Sequence, residues 1–141
     1  MNRRSGSTLF LMEQLIVVAI FAICAAACVK ILTESYFMAT DSRNMSNAIQ
    51  AAESCAECYK AAAGDIGKVA ELLGGKTESA AAATVYYDKD WLVCGEGHAV
   101  YKMRLTSGPP EEGLVSLYSG ELSVEKLTGE VLLTFNVTAR G

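Results

Sequence analysis

The chain has 141 residues, 51% of them hydrophobic, with 12 Lys and Arg against 16 Asp and Glu and a single histidine. At this length one compact domain is expected. Beyond Arg3 and Arg4 there is no basic cluster, so the electrostatic footprint of nucleic-acid binding is missing and no nucleic-acid partner is expected.

Residues 1–6 form a short basic leader carrying Arg3 and Arg4. From Leu9 to Val29 only Glu13 and Gln14 are strongly polar. A helix over that stretch is about 30 Å long, the thickness of the hydrocarbon layer, so residues 7–30 are read as the membrane-spanning part of a helix. The basic excess precedes the span, which places the N-terminus in the cytoplasm and the rest of the chain on the extracytoplasmic side. Two ordinary readings of such a segment are a cleaved secretory signal, with Ala25-Ala26-Ala27 offering the small-residue site, and an uncleaved single-pass anchor.

Between Gly6 and Gly64 there is neither glycine nor proline. Both strong helix breakers are thus absent, and one helix of about 85 Å is predicted to continue out of the membrane. Its outer part, residues 31–63, is amphipathic: Met45, Ala48, Ile49, Ala52, Cys55, Ala56, Tyr59 and Ala63 recur at helical spacing. Alanine dominates that stripe, so another layer can approach closely. Residues 64–83 read as a short helix, "DIGKVAELL", followed by a small-residue connector. From Thr84 the period becomes two, and residues 84–141 are read as an antiparallel β-sheet of four strands. These are a first run through Val85, Tyr87, Trp91 and Val93, a second through Ala99 to Leu105, a third between Gly113 and Leu127 that is one long strand or two pieces broken near Ser119-Gly120, and a fourth through Val131 to Val137. The expected class is α+β, with the sheet packed on the outer half of the long helix.

Five cysteines invite chemistry. Cys24 and Cys28 lie in the apolar run and act as small hydrophobes. Cys55 and Cys58 form C-A-E-C in the middle of the predicted helix, away from the free amides that lower a redox cysteine's pKa. With Cys94 and His98 they make a weak zinc-ligand order. One disulfide from Cys94 to Cys55 or Cys58 is a second reading, and three small core residues a third. No serine or carboxylate is placed to work with His98. The expectation is no catalytic residue, no metal and no cofactor.

The leader ending in Gly6, then Ser7-Thr8-Leu9, then Glu13 followed by "QLIVVAIFAICAAA", resembles the N-terminus of type IV pilin-like proteins, including the pseudopilins of secretion and DNA-uptake machines. The resemblance implies a long helix packed on a small antiparallel sheet. It also implies a prepilin peptidase that cuts between Gly6 and Ser7, and assembly with other pilin-like subunits, Glu13 meeting the freed N-terminal amine of a neighbour. Opposite charges in a dry environment are costly alone and tolerable together. Ser7 stands where that family commonly has phenylalanine, and Glu13 stands seven residues after Gly6 rather than five. Two residues turn a helix by about 200° and advance it by about 3 Å, which points to a minor subunit. The reading from another class is an uncleaved anchored domain whose outward sheet binds a ligand.

Overall fold

The computed structural model describes residues 3–111, 113 and 116–141, with side chains from Gly6 onward. Helix α1 runs without interruption from Arg3 to Ala61 and passes through Gly6. It ends where Ala63 and Gly64 both turn left-handed, at φ 49° and 82°. Glycine is required at the second of these positions, since a Cβ there would also lie 2.6 Å from the Tyr118 ring.

The chain forms two compact units, residues 1–43 and 44–141. In the first, every residue from Gly6 to Arg43 is exposed. It contains the one helix, among the described residues, that is long and apolar enough to cross a membrane, and none of that segment is buried. Large apolar side chains do not stop at Val29: Ile31, Leu32, Tyr36, Phe37 and Met38 remain 61–73% exposed. Lys30 and Glu34, one turn apart, lie 3.9 Å from each other. Thr33 and Thr40 return their hydroxyls to the carbonyls of Val29 and Tyr36, at 2.8 and 3.0 Å, and so satisfy them within the helix.

The second unit packs the outer turns of α1 and a short helix α2, Ile66–Leu73, on a sheet. Asp65 caps α2 by accepting from the Lys68 amide at 3.2 Å, and Gly74 stops it at φ 68°. The sheet is antiparallel and its order is the chain order: β1 Lys76–Ser79, β2 Ala82–Tyr87, β3 Tyr101–Ser107, β4 Leu117–Lys126 and β5 Val131–Arg140. The α+β class holds, but the sheet has five strands rather than four.

The additional strand, β1, lies in the stretch expected to be a connector. All four of its residues are exposed, so it carries no apolar alternation by which sequence could reveal it. It is held instead by pairing with β2 and by Glu78. That carboxylate accepts from the Thr84 hydroxyl at 2.8 Å and from the Arg104 guanidinium at 3.0 Å.

One expected strand limit also shifts, and one open choice closes. The first period-two run stops at Tyr87, because Asp88 Oδ1 accepts from the amides of Asp90 and Leu92, at 2.8 and 3.0 Å, and closes a turn. Trp91 therefore sits in that turn, and Val93 makes only an isolated bridge to Tyr87. In the third run, Gly120 does not break β4. It lies within the strand, where a Cβ would come within 3.3 Å of the Tyr59 ring.

The register stacks Ala83, Leu105, Leu122 and Phe135 in one cross-strand row and Val85, Met103, Val124 and Leu133 in the next. Against these pack Ala48, Ala52, Cys55 and Tyr59 of α1, all essentially fully buried. Tyr59 keeps its hydroxyl satisfied at 3.0 Å from Ser107 Oγ. The alanine stripe performs its expected packing role but is rotated: Met45 and Ile49 are exposed, while Ala51, Cys58 and Ala62 are half-buried against the core.

Candidate functional site

The backbones of Arg3 and Arg4 lie in the first turn of α1, and their side chains lie outside the described part of the structure. Gly6 and Ser7 are exposed and helical. Glu13 follows two turns later on an exposed face, with Leu9, Met12, Ile16 and Val17 around it. Among the described residues its carboxylate has no ion-pair or hydrogen-bond partner. Within a membrane, a lone carboxylate on such a face would be stable only if headgroup water or a positive charge reached it.

All five cysteines are free thiols. Cys24 and Cys28 are exposed on the apolar half of α1. Cys55 is buried, and burial, with the neighbouring Cys58, pushes its thiol up to about 12. Burial together with the same two thiols pushes the Tyr87 hydroxyl up to about 12 as well. Cys55 and Tyr87 are therefore neutral at physiological pH, which suits core packing rather than thiolate chemistry at Cys55. Cys94 is tied differently. Its amide donates to the Tyr86 carbonyl at 2.9 Å, and successive strand residues such as Tyr86 and Tyr87 point to opposite faces of a sheet. Loss of solvent and the Asp88 carboxylate hold the Cys94 thiol above its ordinary value. His98 ends a short 3₁₀ turn, Glu96–His98, and is exposed. Among the described residues no group of three His, Cys, Asp or Glu side chains could hold a metal ion.

Sequence reasoning missed Trp91 as a site residue, having placed it in a strand. The Trp91 amide donates to the Asp88 carbonyl at 3.1 Å and the Asp88 amide to the Leu92 carbonyl at 2.9 Å. This is a tight hairpin loop whose last position is left-handed, and Trp91 occupies it at φ 61°. Glycine or asparagine is the ordinary choice there, and for a bulky residue the conformation costs on the order of 1–3 kcal/mol.

The compensation is visible around the ring. The indole stacks on Tyr101 with centroids 4.2 Å apart and planes 17° from parallel, leans on Tyr87 at 5.8 Å, and directs Nε1 to Asn44 Oδ1 at 3.5 Å. Beside it lies a groove of about 220 Å³ between the turn and α1, lined by Asn47, Gln50, Ala51, Ser54, Tyr87 and Trp91. Two signals in the sequence point here: the Asp88-to-Trp91 turn composition, and a polar stripe of Asn44, Asn47, Gln50 and Ser54 beside the alanine stripe.

No known protein family, curated protein or solved structure matches the chain.

Proposed function

We propose that this chain is a non-enzymatic structural subunit, a minor one, of a type IV pilus-like or pseudopilus filament. Arg3 and Arg4 hold the leader in the cytoplasm, a prepilin peptidase cuts between Gly6 and Ser7, and the apolar half of α1 packs with like helices. Glu13 guides that contact, and the second unit is displayed outside the membrane. The observation that carries this reading is the uninterrupted α1, exposed from Gly6 to Arg43 and apolar from Leu9 to Val29 except at Gln14 and at Glu13, whose carboxylate has no partner among the described residues. Such a surface suits lipid or similar helices around it, and a positive charge on a neighbouring subunit would give Glu13 the partner that no described residue of its own chain supplies.

One observation favours the second reading, an uncleaved single-pass anchor for an extracytoplasmic binding domain. α1 is already helical at Arg3 and continues through the Gly6–Ser7 bond, whereas a peptidase needs an accessible, unwound segment. Mass spectrometry of the membrane-associated protein, made with and without a prepilin peptidase, separates the two. The filament reading expects a peptidase-dependent N-terminus at Ser7, and loss of filament incorporation in Glu13→Ala with membrane insertion intact. An intact Met1 terminus in both strains overturns the processing step.

A further inference from the structure

The groove beside Trp91 is lined wholly by residues of the second unit, and its lining is chemically specific. Trp91 is held in a left-handed turn position and fixed on three sides by Tyr101, Tyr87 and Asn44. The part of the indole left uncovered lines the groove. Facing it from α1 are Asn47 and Gln50, whose side-chain amides have no partner among the described residues, and Ser54, whose hydroxyl donates to the Gln50 carbonyl at 2.9 Å. Each amide offers a donor and an acceptor side by side.

No lining residue is a carboxylate or a basic group. A charged ligand would find no counter-charge in this groove, while a purely apolar one would leave two amides desolvated and unpaired. At about 220 Å³ the space falls below the roughly 300–1,000 Å³ of drug-sized sites, so it suits one ring rather than an extended molecule.

We propose that this groove binds a neutral saccharide unit, with Asn47 and Gln50 pairing to neighbouring ring hydroxyls and the uncovered part of the Trp91 indole meeting the C–H face of the sugar, beside the largely buried Tyr87 ring tilted 40° to it. Aromatic walls combined with a few convergent polar groups are the ordinary composition of small-ligand sites. Positioning Trp91 is what the strained turn and its three contacts accomplish. All the lining residues belong to the second unit, so the assignment stands whether or not the chain enters a filament.

Trp91 is the only tryptophan in the chain, and its emission reports directly on the groove. The test uses the full chain in a sugar-free zwitterionic detergent, titrated with glucose, galactose and N-acetylglucosamine, with glucose 6-phosphate as the charged comparator. At least one neutral sugar is expected to give a saturable emission change with a dissociation constant of about 1 mM or tighter. Asn47→Ala with Gln50→Ala should weaken it at least tenfold while circular dichroism and the melting curve stay unchanged. Gln50→Ala alone, at an exposed helix position, provides the same comparison if the double variant loses structure. The proposal is overturned if none of the three sugars gives a saturable change, if the folded variants respond like the parent, or if glucose 6-phosphate binds more tightly than glucose.

Discussion

Thr84 is a buried polar residue whose hydroxyl has one use, to donate to Glu78 at 2.8 Å. That hydrogen bond, joined by the Arg104 guanidinium, holds the Glu78 carboxyl below its usual range despite some opposing desolvation. A carboxylate with a lowered folded pKa stabilises the fold at pH values above the unfolded pKa of about 4.3, and the contribution disappears as pH falls through the lowered folded value. Thr84→Val keeps the volume and removes the donor. We therefore expect its melting temperature to fall less steeply than the parent's on acidification below about pH 4.3. Parallel acid limbs for parent and variant would show that the hydrogen bond does not set this dependence.

None of this was legible from sequence, because Glu78 lies in a stretch without periodicity and Thr84 resembles any strand threonine. Cys55 was more accessible to inference, since its place on the alanine stripe allowed core packing as one of three readings. Trp91 was misplaced because its alternation with Val85 and Tyr87 fits a strand. The two backbone amides captured by Asp88 override that pattern locally.

At the scale of elements, the long helix and the later strands were readable because each carries a strong single signal: no breaker over 57 residues, then a switch of period from 3.6 to 2. What sequence could not supply was rotation. A period of 3.6 defines a face only to within a residue or so, and the buried line proved to be Ala48, Ala52, Cys55 and Tyr59, with Ile49 left 44% exposed. Nor could it supply β1, an edge strand with no apolar residue to mark it.

The small side chains on the buried line let the sheet come close to the helix, and this closeness can be tested. Ala52 is 0% exposed in the core cluster, so Ala52→Leu has to displace the sheet or adopt a strained rotamer. A loss of about 1–3 kcal/mol in denaturant unfolding is expected. Ile49→Ala, at an exposed position, should cost well under about 1 kcal/mol, and equal losses at the two positions would contradict the observed rotation.

For the whole molecule, the separation into two units has a direct consequence. No residue from Gly6 to Arg43 is buried, so cutting the chain before Asn44 removes nothing from the core. A fragment of residues 44–141 is expected to be soluble without detergent, to show mixed helix and strand circular dichroism, and to melt cooperatively. A fragment that is unfolded or aggregated under native conditions would mean that the first half of α1 contributes to the second unit's stability.

In a bilayer, the first half of α1 meets a constraint of length. Between Glu13 and Lys30 lie 16 uncharged residues, a rise of about 24 Å against a hydrocarbon thickness of about 30 Å. Lys30 has a long stem and an acidic neighbour in Glu34, so it can reach the headgroups on its own side, but the short side chain of Glu13 cannot make up the shortfall at the other side unless its carboxylate is paired within the hydrocarbon layer. Hydrophobic mismatch of this sign is relieved by thinning the membrane or by clustering the helices that cause it. Were copies of this helix to meet in a bilayer, sharing one thinned patch would favour their gathering ahead of any specific contact.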